Sequence, residues 1–130
     1  MCDFEGYLRP EMVKKRRVVV VSPMRTFKYV SDATVIVVPL SEVEPLPVLP
    51  WHHPVPGGRY AGLRRCWAKG DLVAHVGLVR LDRVFHEGNW AIPVMDPDDL
   101  IAVRRVVGSA VGIGPERFPA GCDGSESFRD

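Results

Sequence analysis

Two runs of adjacent β-branched residues set the pattern of the first half of this chain. Val18-Val19-Val20-Val21 is closed by Ser22-Pro23, and Thr34-Val35-Ile36-Val37-Val38 is closed by Pro39. Branching at Cβ disfavours a helix and suits a pleated surface, so both runs are expected to be strands. Neither alternates with polar residues, which predicts strands covered on both faces. Residues 45–56 carry five prolines (Pro45, Pro47, Pro50, Pro54, Pro56), a density that suits an edge strand or an extended loop. Pro56-Gly57-Gly58 reads as a turn. Arg65–Lys69 and Leu72–Val76 read as short strands, and Val79–Phe85 with Asn89–Val94 as a hairpin around Glu87-Gly88.

The polar pattern changes at Asp96. Asp96 suits an N-cap, Pro97 the first helical position, and Asp98 and Asp99 the positive end of the helix dipole. Leu100, Val103, Val107, Ala110 and Val111 fall on one face, with Arg104 and Arg105 opposite, and Gly112 is a natural stop. Beyond it, residues 114–130 are Gly, Pro, Ser and charge with little to bury, and a disordered tail is expected there. No internal repeat is visible. The elements add up to a mostly β domain over residues 1–113, a small antiparallel barrel with a C-terminal α-helix packed on it.

Composition narrows the class. With 130 residues and 46% hydrophobic positions, one domain with its own core is expected. No apolar run approaches the ~18 residues of a membrane span, and Met1-Cys2-Asp3-Phe4-Glu5 lacks a signal-peptide layout. Cys2, Cys66 and Cys122 are odd in number and widely spaced, without a CxxC pair. Neither a zinc site nor a disulfide framework is expected from them, and the compartment reads as cytoplasmic with reduced thiols. No metal and no cofactor is expected.

Charge carries the chemistry. The whole chain is only +1, yet residues 9–28 hold Arg9, Lys14, Lys15, Arg16, Arg17, Arg25 and Lys28 against Glu11 alone. A basic patch on a near-neutral protein points to an anionic ligand. The ordinary alternative is a solvated run of charge at a strand end.

Six short blocks then acquire meaning by their order: Pro10-Glu11-Met12-Val13-Lys14-Lys15-Arg16; Val18–Val21-Ser22-Pro23; Val37-Val38-Pro39-Leu40-Ser41; Trp67-Ala68-Lys69-Gly70-Asp71-Leu72; Val76-Gly77 with Arg80-Leu81-Asp82-Arg83; and the Asp98-Asp99-Leu100 helix. In this order and spacing they resemble the MazF/PemK family of toxin endoribonucleases from toxin–antitoxin systems, over about residues 1–113. The resemblance implies an SH3-like (MazF/PemK/CcdB-like) barrel and a homodimer that cleaves single-stranded RNA without metal. It also implies a cognate antitoxin that lays an acidic segment along the basic groove.

The family's catalytic arginine precedes the valine strand by one residue, in an Arg-Pro pair. Arg16 takes that place and Arg17 replaces the proline, so the arginine that enters the site is Arg16 or Arg17. Ser41, two residues after Pro39, stands where the family usually has threonine, and lacks the methyl that fixes the rotamer. The family's first strand normally begins several residues before the equivalent of Cys2, so either a late annotated start or a clipped first strand is expected. A late-start fragment that does not fold stably is the corresponding rival.

Cleavage without metal requires a deprotonated 2′-OH, stabilised phosphorane charge and a protonated leaving 5′-oxygen. A guanidinium meets phosphate with a planar fork of donors, which makes Arg16 a sensible clamp, although an arginine is a poor base; the resemblance implies an acid–base part for it. The resemblance gives Ser41 a place from which its hydroxyl can donate to a non-bridging oxygen. Lys14, Lys15 and Arg17, with Arg25, Lys28 and Tyr29 in the next loop, are candidates for substrate contact, since basic and aromatic residues interleave in single-strand grooves. Trp51 and His52 are candidates for base stacking and phosphate contact; an edge strand with one ring packed inward is the competing reading, and His52 and His53 point to opposite faces in a strand. His75 reads as a partly buried histidine and His86 as an exposed turn residue. Lys69 and Asp71 resemble a family position near the dimer interface. The functional rival, from a different class, is an SH3-like module that binds nucleic acid or a protein tail without cutting.

Overall fold

A computed structural model describes residues 1–7, 15–23 and 33–113. Among these residues, seven strands and one α-helix follow in chain order: β1 Val18–Val20, β2 Thr34–Ser41, β3 His52–Val55, β4 Cys66–Lys69, β5 Ala74–Gly77, β6 Val84–His86, β7 Asn89–Ala91 and α1 Pro97–Ala110. All strand pairs are antiparallel. One sheet runs β1-β2-β4-β3 with β5 also on β2, and β6-β7 form a separate ribbon. Among the described residues the sheet does not close into a barrel. The expected mostly β fold with one C-terminal helix is present as antiparallel sheets.

β2 organises the molecule. It pairs β1 on one edge; on the other it pairs β5 along Thr34–Val37 and β4 at Leu40 and Ser41. Pro39 was expected to end this strand but lies within it. The Leu40 N–H to Arg17 carbonyl bond (2.9 Å) and the Val21 N–H to Ile36 carbonyl bond (2.9 Å) fix which residues face β1. The nitrogen of Pro39 therefore points to the other edge, at the gap where β5 has ended and β4 has not begun, so no ladder bond is lost. Pro54 is tolerated for a related reason. β3 is the outer strand, and Pro54 lies opposite Trp67 in a position whose nitrogen faces away from β4.

Apolar side chains on the two faces of β2 build two cores. Val38 and Leu40 join Val19, Val21, Val55, Cys66, Ala68 and the helix residue Val103. Val37 joins Cys2, Phe4 and Val76 on the opposite face. β2 is thus covered on both sides only from Val37 to Ser41; Ile36 is 40% exposed, so the coverage its unbroken apolar run predicts holds for its second half alone. β1 is not covered on both sides: Val20 is 41% exposed. The hairpin forms around Glu87 and Gly88, both at positive φ (51° and 80°), the backbone a two-residue connection requires. It is shorter than expected, because Leu78–Arg80 forms a 3-10 turn and not a strand.

Helix α1 begins after Asp96 and ends before Gly112 at φ 86°, where the capping pattern predicts, but the Asp96 side chain makes no capping bond and only its carbonyl accepts the Leu100 N–H at 2.9 Å. Its buried stripe is rotated from the predicted one. Asp99, Val103, Val106 and Ser109 face inward, Leu100 and Val107 lie at the margin, and Val111 is exposed. The cause is Gly70, whose lack of a side chain lets the 3-10 turn Gly70–Leu72 close on Val106. A Cβ there would meet the Val106 backbone at 2.7 Å. The expected tail, residues 114–130, lies outside the described residues.

Candidate nucleic-acid and catalytic site

Lys15-Arg16-Arg17 leads directly into β1, so each cation inherits the strand's alternation. Arg16 exchanges both backbone bonds with Cys2, at 2.7 and 3.1 Å. Its own N–H and carbonyl therefore face away from β2. The β1–β2 register pairs Val18 with Pro39, and the Leu40–Arg17 bond carries it one residue further. Continued once more, it sets Arg16 across from Ser41, on the face that carries Val18 and Pro39. Opposed residues of this non-hydrogen-bonded kind bring their side chains closest.

The two side chains are primed differently. The Nε of Arg16 is buried and has no hydrogen-bond partner among the described residues. Ser41 is 6% exposed, and its Oγ accepts the Val43 N–H at 3.2 Å, which leaves the hydroxyl hydrogen available to a ligand. A guanidinium and a hydroxyl donor on one face, at the junction of two strands, are a rigid pair of donors for a phosphate.

Arg17 goes the other way. Its side chain turns to the opposite face and meets the loop after β3, where its Nη2 lies 2.9 Å and the His86 Nδ1 2.6 Å from the point at which a Gly62 Cβ would stand. Gly62 sits at φ 64°, so glycine serves both the backbone and the close approach. Arg17 and Lys15 also border a cleft of about 840 Å3, with Arg80, Arg83, Phe85 and Trp90 among its walls. Arg83 stacks 5.6 Å from the Trp90 ring centroid, and Phe85 and Trp90 are both more than half exposed. The sequence reading missed these hairpin residues; an arginine followed by two aromatics on one face of a hairpin was the available signal. Arg80 serves the fold, donating to the carbonyls of Asp3 and Glu5 at 2.9 Å each and stacking on Tyr7.

Trp51 and His52 flank the start of β3. Trp51 is half-buried and meets the His52 ring edge-on at 6.2 Å. The His52 side chain is 7% exposed; its Nδ1 accepts the Leu49 N–H at 3.0 Å while its Nε2 faces Asp71 at 3.8 Å. Burial lowers its affinity for a proton, opposed by Asp71. His52 thus staples the proline-rich loop, in line with the inward-packed alternative. His53 points to the helix side, where burial again lowers its pKa. His75 was expected to be partly buried; it is exposed on β5 instead. His86 is intermediate in exposure, 3.5 Å from the Glu87 carboxylate. Lys14, Arg25, Lys28 and Tyr29 lie outside the described residues.

A second polar cluster was read only as a dipole complement. Asp99 is buried, accepts two bonds from Arg59 Nη1 at 2.9 and 3.0 Å, and accepts the Tyr60 hydroxyl. The Tyr60 hydroxyl and the Arg59 guanidinium hold the Asp99 carboxyl below the usual carboxylate range against its burial. Tyr60 Oη in turn accepts the Asp96 N–H at 3.0 Å. Cys2 and Cys66 are buried free thiols, and burial pushes Cys66 up to about 11, so it is inert. Among the described residues, no group of three or more His, Cys, Asp or Glu side chains is placed to hold a metal ion.

The family model for PemK-like, MazF-like toxins of type II toxin–antitoxin systems matches residues 1–109. This chain belongs to that family. No curated protein matches it. PemK-like, MazF-like toxins are generally endoribonucleases, and type II systems pair the toxin with an antitoxin. Among the described residues, no helix is long and apolar enough to cross a membrane.

Proposed function

We propose that the chain is a metal-independent endoribonuclease that cuts single-stranded RNA, slows growth, and is neutralised by an antitoxin whose acidic segment covers the basic face. Family membership supports the toxin and nuclease parts. The observation that carries the chemistry is the placement of Arg16 across from Ser41. The 2′-oxygen of the substrate bonds to phosphorus as its proton passes to solvent water, and a pentacovalent phosphorane forms. The Arg16 guanidinium neutralises its equatorial charge and Ser41 donates to a non-bridging oxygen; the bond from phosphorus to the 5′-oxygen then breaks, and that oxygen takes a proton from water. The products are a 2′,3′-cyclic phosphate and a 5′-hydroxyl. A homodimer with the family's small SH3-like barrel and a cytoplasmic location belong to the same proposal, with Lys14, Arg25, Lys28 and Trp51 as substrate contacts.

The test is incubation of the purified chain with a long single-stranded RNA in EDTA, with end-group analysis of the fragments. Cutting that survives EDTA and leaves cyclic phosphates is expected. A folded chain that binds the RNA and leaves it whole would instead establish a binding module.

A further inference from the structure

We propose, taking the chain as the single-strand ribonuclease proposed above, that Arg65 and Lys69 hold the phosphates on either side of the one cut at Arg16 and Ser41, so that the RNA backbone runs along β4. The register places the residues. Ser41 lies opposite Trp67, and Lys69 lies opposite His52, so Trp67, Lys69 and Ser41 share one face of the sheet with Arg16. Arg65 turns onto that face as well, its guanidinium carbon 6.0 Å from the Trp67 ring centroid.

Alternate residues of a strand stand ~7 Å apart on one face, about the separation of successive phosphates in an extended strand. Arg65 and Lys69 each lie one such step from Trp67, and Trp67 is level with Ser41. The order along β4 is therefore cation, scissile position, cation. Trp67 is buried and supplies the floor, which holds Arg65 by its ring and leaves the guanidinium edge to the ligand. Lys69 is half-buried, and among the described residues no carboxylate pairs with it; Asp71, two residues on, faces His52 at 3.8 Å. Both contacts are to phosphate, so they position the strand and carry no base preference.

The test measures binding of a mixed-sequence 2′-O-methyl RNA, which is not cut, across a salt series, beside cleavage of natural RNA. Arg65→Gln, Lys69→Gln, Lys69→Arg and the remote control Arg105→Gln are compared with the full chain. Loss of one phosphate contact reduces the slope of log affinity against log salt by about 0.7 and weakens binding by about tenfold. Arg65→Gln and Lys69→Gln are each expected to show both effects with kcat retained; Lys69→Arg restores the slope, and Arg105→Gln leaves it unchanged. Folded Arg65→Gln, an exposed site that tolerates substitution, with unchanged affinity and slope overturns the proposal even if Lys69→Gln does not fold. Loss of kcat at unchanged affinity overturns it too. A wild-type chain that neither binds nor cuts RNA overturns the ribonuclease function itself, whereas a wild-type chain that cuts RNA with both variants indistinguishable from it overturns only the β4 track.

Discussion

The hydroxyl of Tyr60 is bonded to the carboxylate of Asp99, joining the loop after β3 to the first turn of α1 across 39 residues of chain. The same phenol oxygen accepts the Asp96 N–H, and Arg59 grips both Asp99 oxygens through Nη1. One network therefore fixes the helix start and the loop whose Gly62 meets Arg17. Asp99→Ala is expected to lose about 2 kcal/mol of stability and Tyr60→Phe about 1 kcal/mol, because hydrogen bonds to a buried charge exceed neutral ones. Urea unfolding of the two single variants and the double variant checks this. The double variant should lose clearly less than the two single losses together, since both remove the same bond; strict additivity would show that the residues act separately.

Stability should fall with pH in two stages. Burial lowers the proton affinity of His52 and His53, so below the ordinary histidine value of ~6.5 the unfolded chain takes up protons that the folded chain resists. That stabilisation is present above this value and is lost as the pH falls through the folded-state values. Asp99 is also shifted downward, so its contribution is present above the ordinary carboxylate value of ~3.9 and is lost as the pH falls further. Urea midpoints between pH 8 and pH 3 should show both declines. His53→Gln should shrink the first decline, leaving the share of His52, and Asp99→Asn should shrink the second; an unchanged profile in both variants would refute the assignment.

Arg16 and Arg17 are neighbours with opposite faces, so their variants should separate. Arg16→Ala is expected to lower kcat on single-stranded RNA by about 10²–10³, the cost of removing one preorganised donor to the transition-state charge. Arg17→Ala should leave kcat within a few fold, because its side chain lies with Gly62 and His86 on the other face. Ser41→Ala should fall by about tenfold and Ser41→Thr should keep activity, since threonine retains the hydroxyl. Single-turnover rates on a defined RNA settle the order. An Arg17→Ala defect larger than that of Arg16→Ala would move the site to the cleft beside Trp90.

The strands, the hairpin turn and the helix ends were legible in the sequence because each rests on local chemistry: adjacent valines, Glu87-Gly88, Asp96-Pro97 and Gly112. The faces were not. Whether Arg16 or Arg17 looks toward Ser41 depends on the pairing of β1 with β2, which no local pattern encodes. The persistence of β2 through Pro39 depends on a gap between two other strands. Asp99 reads locally as a dipole complement and only its contact with Tyr60 and Arg59 reveals its burial. Trp90 and Arg83 were missed for the same reason, since a short hairpin gives no hint of what it faces. The role of Arg16 and Ser41 was suggested by resemblance, and geometry adds their common face.

Two glycines test how the helix and the loop are seated. A Cβ at Gly70 would stand 2.7 Å from the Val106 carbon and oxygen and 2.9 Å from the Val107 nitrogen, all backbone atoms of α1. The helix must shift as a body to admit it, and overpacking of this kind costs about 1–3 kcal/mol or more. A Cβ at Gly62 would meet His86 Nδ1 at 2.6 Å and Arg17 Nη2 at 2.9 Å, the ends of two side chains that can swing aside. What remains there is the positive φ of 64°, for which a non-glycine residue loses about 1–2 kcal/mol. Gly70→Ala should therefore be the more destabilising of the two by thermal melting and should also loosen the Asp99 network through the displaced helix. Gly62→Ala should move Arg17 while leaving Arg16 in place, and so should spare RNA cleavage in the folded protein. If Gly62→Ala abolished cleavage while its melting temperature stayed near that of the parent, Arg17 would be tied to the chemistry after all.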